Sequence, residues 1–189
     1  MAKARATTIE DIRSKAAALF EQQGYSKTSL EDIAKAVGVT KPTVYAYVAS
    51  KSELLEQIVT EVMVTLDDGL MSILDNQESA ENKLRASLLL QARAAAERRD
   101  YYQLLFSEQP ELSEVMQDRI NEWARSINHR YAKLIEQCRD EGVLSPDIDP
   151  SVAANLILGM MTSLSRWYRQ RNRFSPEEIG DQAFRIIAS

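Results

Sequence analysis

With 189 residues, 44% of them apolar, and a formal net charge of −5, the chain can bury a core in one large or two unequal domains and is too apolar for wholesale disorder. Six Gly and five Pro leave little turn chemistry for strands, while abundant Ala, Leu, Glu, Gln and Arg favour an all-α fold. No stretch approaches the roughly 18 uninterrupted apolar residues of a membrane span. The opening MAKARATTIED lacks the apolar segment of a secretory signal, and one cysteine, Cys138, makes neither an internal disulfide nor a cysteine-based zinc site. A reduced, cytoplasmic protein without membrane partners is expected.

The spacing of Ile9, Ile12, Ala16, Leu19 and Phe20 predicts a first helix from Thr7 or Thr8 to about Gln23, with Gly24 supplying a left-handed end. Thr28-Ser-Leu-Glu31 reads as a capping box opening a second helix, whose inward residues are Leu30, Ile33, Ala34 and Val37 and whose end is Gly38. Val39 follows as an apolar plug. Thr40 is then the N-cap of a short third helix over about 41–47, with Pro42 in its first turn. Ser50-Lys-Ser-Glu53 opens a long fourth helix reaching Leu74. Further helices are expected near 79–99, 100–108, 110–141, 150–172 and 176–188, the last two opened by Asp149-Pro150 and Ser175-Pro-Glu-Glu178, for about nine in all.

Charge is unevenly placed. Residues 1–51 carry eight Lys/Arg and five Asp/Glu, a net of +3, so the remaining 138 residues sum to −8. A small basic module joined to a larger acidic body accounts for that asymmetry, and so does a plain solvated surface. Residues 28–48 read as helix, glycine turn, short helix. This is the helix-turn-helix arrangement, although ordinary helical bundles use glycine turns too.

The surface of the third helix strengthens the first of these readings. Val39, Val44 and Val48 must face the first two helices, which leaves Lys41, Pro42, Thr43, Tyr45, Ala46 and Tyr47 outward or along the rim. In a major groove, Thr43 can bond a base edge or touch a thymine methyl, and Lys41 can reach guanine or a phosphate. Pro42 offers apolar contact. Tyr45 and Tyr47 suit phosphates, as do Lys51 and Thr28 at the starts of the fourth and second helices. The plainer alternative makes the tyrosines packing groups, the lysines solvated, and Thr40 and Ser50 helix caps only.

The stretch IRSKAAALFEQQGYSKTSLEDIAKAVGVTKPTVYAYVASKSELL, residues 12–55, resembles the DNA-binding domain of the TetR family of bacterial one-component transcriptional regulators. The likeness runs through Ala17, Leu19-Phe20, Gly24, Thr28, Ile33-Ala34, Gly38-Val39-Thr40, Thr43, Tyr45, Lys51 and Leu54. Thr40 stands where members typically carry Ser, Val48 where they usually carry Phe, and Tyr47 where His is frequent. The resemblance implies a three-helix DNA-binding domain over 1–51 and a larger ligand-binding and dimerisation domain over 52–189. It also implies a homodimer on a pseudo-palindromic double-stranded operator, with Thr28, Thr40, Lys41, Pro42, Thr43, Tyr45, Tyr47 and Lys51 at the DNA.

For the acidic body, Tyr101, Tyr102, Leu105, Phe106, Met116, Ile120, Trp123, Met160, Met161, Leu164 and Trp167 form a candidate lining for a small apolar or amphipathic effector, or equally a plain core. Gly159, Ser163 and Ser165, with Ile179, Phe184 and Ile187, suggest a close two-fold helical interface. SRWYRQRNRFSPEEI, residues 165–179, is similar to a TetR subgroup controlling fatty-acid, sterol or aromatic-acid degradation, several of whose members respond to acyl-coenzyme A thioesters. Arg166, Arg169, Arg171 and Arg173 suit such phosphates. They equally suit pairing with the acidic body or capping a helix end.

An enzyme is the rival from another class. The chain has no phosphate loop, no Gly-x-Ser-x-Gly and no nucleotide-binding glycine fingerprint, and His129 is its only histidine. No catalysis, no cofactor and no metal centre are expected. A DNA-binding regulator without a small-molecule effector stays open as the second alternative.

Overall fold

The computed structural model describes residues 7–169 and 173–188. Those residues are all-α, with helices α1 (Ile9–Gln23), α2 (Leu30–Val37), α3 (Lys41–Tyr45), α4 (Lys51–Leu74), α5 (Ala80–Glu97), α6 (Arg99–Ser107), α7 (Glu114–Asp140), α8 (Pro150–Thr162), α9 (Leu164–Trp167) and α10 (Pro176–Ile187). The four-residue α9 is a single turn following α8; without it the helices are the nine expected. The described chain divides into two compact units. The first holds residues up to Val62 together with Asp100–Gln117, and the second holds Met63–Arg99 and the rest from Asp118.

In the first unit, α1 starts at Thr8, whose hydroxyl accepts from the Asp11 N–H while the Asp11 carboxylate accepts from the Thr8 N–H. Ile12, Ala16, Ala17 and Phe20 form its buried stripe, and Leu30, Ile33 and Ala34 form that of α2. The capping box of α2 lies one residue later than the sequence suggests. Ser29 and Asp32 close it, not Thr28 and Glu31. The reason is local: Thr28 is buried, its hydroxyl donates to the Gly24 carbonyl at 2.9 Å, and Gln23 donates to it at 3.1 Å. Bonds from the Ser29 hydroxyl and backbone hold the Asp32 carboxyl below the usual carboxylate range. A depressed folded pKa means that this contribution to stability is present above the unfolded pKa and lost as pH falls through the folded one.

Gly38 takes the left-handed conformation, φ 82°, that lets α2 end and the chain turn into α3. Its N–H bonds the Lys35 carbonyl and the Val39 N–H bonds the Ala34 carbonyl, the paired closure of a Schellman motif. Gly24 also has positive φ, 89°, but its ψ of 147° lies outside the left-handed helical well expected for it. Thr40 occupies the N-cap position of α3 without capping a backbone N–H; its hydroxyl meets that of Thr43 at 2.9 Å. Ser50 does cap α4, accepting from the Glu53 N–H.

The second unit is built on α5, which carries α8, α9 and α10 against it. Leu84, Leu88, Ala92, Leu134, Ile135, Ala154 and Phe184 are buried there. Each such fully buried large aliphatic is worth about 1.5–3 kcal/mol of transfer free energy. Tyr131 of α7 is buried with its hydroxyl donating to the Ser87 carbonyl, and Arg130 pairs with Asp67 of α4 at 2.6 Å. Gly180 of α10 sits so close to α5 that an added Cβ would lie 3.3 Å from Leu89 Cα and 3.4 Å from its N. Gly180→Ala is expected to lower stability by about 1 kcal/mol or more even after alanine's gain in helix propensity, because backbone cannot swing aside. A thermal melt reads this as a fall in Tm of a few degrees; Gly69→Ala, which would meet only the Leu90 side-chain end at 2.8 Å, should cost less.

Two long helices differ from expectation. The segment from 110 opens with a single 3-10 turn over Gln109–Glu111, and α7 proper begins at Glu114, where the Ser113 hydroxyl accepts from the Met116 N–H. The helix expected over 150–172 stops at Thr162. The Ser163 hydroxyl donates to the Met160 carbonyl and the Ser165 hydroxyl to the Thr162 carbonyl, competing with the ladder at the break. Tyr168 is already extended, and residues 170–172 lie outside the described residues.

Candidate nucleic-acid interface

α3 is held by what it buries. Val44 is fully buried and Val48, just past the helix, nearly so, while α3 packs on α2, so the opposite side of α3 must face outward. Lys41, Pro42, Tyr45, Ala46 and Tyr47 are exposed and Thr43 is half-buried, which is the division the sequence predicts. Lys41 Nζ lies 5.8 Å from the centre of the Tyr45 ring, so an ammonium, two threonine hydroxyls and a phenol share one small surface. These are hydrogen-bond groups on a rigid support, able to address base edges and phosphate oxygens together.

The other predicted DNA residues are placed differently. Thr28 has its hydroxyl in the buried turn before α2, and its backbone N–H bonds the Tyr25 carbonyl, so neither points outward. Lys51 is half-buried; its ammonium donates to the Tyr25 carbonyl at 2.8 Å and sits 4.1 Å from the centre of that ring. It therefore braces the α1–α2 connection. The Tyr25 hydroxyl is raised above its ordinary pKa by burial first and then by Glu111, Glu108 and Glu56. Tyr47 donates its hydroxyl to the Thr7 carbonyl at 2.7 Å, across forty positions of sequence. Nothing in periodicity announces that bond, because it depends on where the chain enters α1.

Tyr45, the last residue of α3, is half exposed, at 48%, and lies beside Lys41. Tyr45→Phe is expected to weaken binding to every duplex by a similar factor of about 10–100, the worth of one hydrogen bond to an anion. Fluorescence anisotropy on several sequences checks this; a change confined to one sequence would assign the hydroxyl to a base.

The candidate effector residues divide between the two units. In the first, Tyr101, Tyr102, Leu105 and Met116 are buried, and Phe106 stacks edge-on to Tyr102 at 5.2 Å while staying 38% exposed. The Thr60 hydroxyl reaches Met116 Sδ at 4.0 Å. In the second, Ile120, Met161 and Leu164 are buried, Met160 and Trp123 are half-buried, and Arg166 and Trp167 are exposed. The Trp123 indole N–H is buried without a hydrogen-bond partner. Arg169 and Arg173 are exposed, whereas Arg171 lies outside the described residues. Phe184, expected at a subunit surface, is buried instead, with the Arg85 guanidinium 3.5 Å above its ring. Ile186 beside it is the exposed residue, at 67%.

Among the described residues no group of three or more His, Cys, Asp or Glu could hold a metal. Burial, with Glu141 and Glu81, pushes the Cys138 thiol up to about 12, so it is no nucleophile at neutral pH. No helix among the described residues is long and apolar enough to cross a membrane.

A helix pair joined through a left-handed glycine, with the donors of its second helix turned outward at the head of an all-helical chain, defines a helix-turn-helix DNA-binding regulator. Residues 12–58 match the family described as bacterial regulatory proteins, tetR family, and residues 77–189 match the tetracyclin repressor-like C-terminal domain. The chain belongs to the TetR family of DNA-binding transcriptional regulators. Over 183 residues it is 22% identical to the HTH-type transcriptional repressor KstR2 of Mycolicibacterium smegmatis, covering 96% of this chain and 89% of that one. Its fold matches that of the TetR family regulator PfmR from Thermus thermophilus with a TM-score of 0.86 at 23% identity, covering 94% of this chain and 96% of that one. It also matches AibR in complex with isovaleryl coenzyme A and operator DNA, with a TM-score of 0.82 at 23% identity over 95% of this chain and 97% of that one. At these identities the structural likenesses are likenesses of fold.

Proposed function

We propose that the chain is a repressor that binds a pseudo-palindromic operator as a homodimer and leaves it when a small amphipathic effector, an acyl-coenzyme A thioester, binds. The observation that carries the DNA part is the outward face of α3. Lys41, Thr43 and Tyr45 are presented by a helix whose other side is held by the buried Val44, with Val48 buried just beyond its end. Lys41 and Thr43 read base edges and Tyr45 holds a phosphate. Residues 1–51 serve as the DNA-binding domain and 52–189 as the domain for effector and dimerisation.

The dimer is supported by α8 and α10, which both pack on α5. Val152 and Leu156 are 57% and 68% exposed on α8, and the open side of Gly159 continues their face at helical spacing. Ile186 offers a second apolar contact from α10. Two recognition helices joined in this way address two half-sites one helical turn apart.

The effector reading is supported by three features. AibR, of the same fold, is seen with isovaleryl coenzyme A and operator DNA. The exposed Arg166, Arg169 and Arg173 stand in one short stretch with the exposed aromatics Trp167 and Phe174, a surface suited to phosphates and a purine ring. The partnerless indole N–H of Trp123 suits a polar ligand atom. Release then follows if the effector favours a conformation that DNA does not, by a coupling of about 1–3 kcal/mol.

The test is a thermal-shift panel of short- to long-chain acyl-coenzyme A thioesters, with free coenzyme A and free acids as controls, followed by duplex release. At least one thioester should raise the Tm and release the duplex, with the response blunted in Arg166→Ala and operator affinity unchanged. A panel without any shift would leave a DNA-binding regulator that takes no such effector.

A further inference from the structure

A surface groove of ≈ 490 Å³ runs between α7 and α8, and all its residues belong to the second unit. α7 contributes Asn121, Arg125, Asn128 and His129, and α8 contributes Ser151 and Asn155. Asn121, Arg125 and His129 recur every four residues, so they line one side of α7 over about 12 Å of helix. Across the groove Asn128 Nδ2 donates to Asn155 Oδ1 at 2.8 Å, and Asn155 Nδ2 donates to the Ser151 carbonyl at 2.9 Å. These two bonds tie the helices together and fix the amides of one wall.

The groups left unbonded set the chemistry of the groove. Among the described residues the Arg125 guanidinium pairs with no carboxylate, whereas Arg130 on the same helix pairs with Asp67. The Asn121 amide, the His129 ring and the Ser151 hydroxyl likewise have no hydrogen-bond partner among those residues. No carboxylate or aromatic ring of the described residues borders the groove, and its apolar members are Ala124 and Ala132. The Asp149 carboxylate at the start of α8 accepts from the Val152 N–H. An unpaired guanidinium in such a setting draws an oxyanion and can hold two of its oxygens at once. Amides and hydroxyls, which both donate and accept, match hydroxyl groups, which do the same. Two methyl groups offer too little apolar surface for an acyl chain, and without a ring no base can stack.

We propose that this groove binds a small polyhydroxylated anion, a phosphate or carboxylate on a sugar-like skeleton. Arg125 holds the oxyanion, while Asn121, Asn128 Oδ1, His129 and Ser151 meet the hydroxyls. The groove shares no residue with Trp123, Arg166 or Trp167, so it is a ligand site additional to the one proposed for an acyl-coenzyme A thioester.

His129 is the chain's one histidine, so in tag-free protein its ring C–H proton resonances report on this groove without assignment. Glucose 6-phosphate and gluconate are titrated at matched pH and ionic strength to about 10 mM, where a site with a Kd of about 1 mM is about nine-tenths filled. Glucose and inorganic phosphate serve as the two halves of the ligand. At least one of the two hydroxylated anions should move the resonances saturably, and glucose should not. Inorganic phosphate should bind about tenfold more weakly for want of the hydroxyl contacts. Arg125→Ala should weaken binding by about 10–100-fold, and Asn121→Asp, of nearly the same shape, should abolish it by bringing a carboxylate into the groove. Both positions are exposed, and melting curves check that the variants fold. Resonances that neither anion moves, or that respond as readily in Arg125→Ala as in wild type, would overturn the site. Equal affinity for inorganic phosphate would overturn the hydroxyl contacts. A shifted monomer–dimer balance in ligand-free Arg125→Ala would overturn it as well, giving the groove to a subunit contact.

Discussion

Leu156→Arg is expected to turn the dimer into monomers and to lower operator affinity by about 10²–10⁴-fold. Leu156 is 68% exposed in the isolated chain and stands one turn from Val152, with the side-chain-free face of Gly159 next along α8. A protein that left this stripe in water would gain nothing from its apolar residues, whereas a second copy laid across it buries both stripes at once. Two arginines brought together near a two-fold axis would lose that apolar gain and repel each other. Once the subunits part, the second half-site is no longer engaged at high effective concentration, which is where the loss of affinity arises. Analytical ultracentrifugation and anisotropy should move together. A variant that stays dimeric would show that the subunits meet elsewhere.

The second large effect is at the support of α3. Val44 is fully buried, and Val44→Asp would place a carboxylate in an apolar core with no partner. Leaving a buried charge unpaired costs about 3–5 kcal/mol, enough to unseat a five-residue helix that has little stability of its own. DNA binding should vanish. The second unit has its own core, including Leu84, Leu88, Leu134 and Ile135, so helical circular dichroism should fall only in part. Val44→Ala provides the milder comparison, leaving a small void and a reduced but measurable affinity. Undiminished operator binding by Val44→Asp would mean that α3 is not what holds the DNA.

The parts of this fold legible in the sequence are those set by short-range chemistry. Gly38 ends α2 because the following Val39 and the preceding Ala34 can close a Schellman pair, and Ser175 with Glu178 opens α10 as a capping box. The burial of Val44 and Val48, against the exposure of Lys41 and Tyr45, follows from three- and four-residue spacing alone. Thr28 and Ser29 both satisfy the capping pattern, so spacing could not choose between them. The choice rests on Gly24, whose carbonyl takes the Thr28 hydroxyl. The start of α7 was hidden because Ser113 caps it with Met116, not an acid, three residues on. The break after Thr162 was hidden because serine hydroxyls bond backward only once a helix is already there.

Long-range partners were the least legible part of the candidate site. Lys51 and Tyr47 look like phosphate anchors in a linear reading, yet their donors meet the Tyr25 and Thr7 carbonyls. These partners lie 26 and 40 positions away, where no motif length reaches. Phe184, which apolar character alone places with Ile179 and Ile187 at a subunit surface, is instead buried with the Arg85 guanidinium over its ring, and Ile186 two positions on is the exposed residue. The family resemblance supplied the class of function.

Base reading by the outward face of α3 is tested by selecting duplexes from a random pool with the wild-type protein and with Thr43→Ala. Each selected pool would be measured across a range of salt concentrations. The wild type should yield a salt-sensitive consensus of two inverted half-sites, and Thr43→Ala a relaxed preference at one position of each half-site. Enrichment of no sequence, or an identical consensus from both proteins, would contradict the assignment of base reading to the outward face of α3.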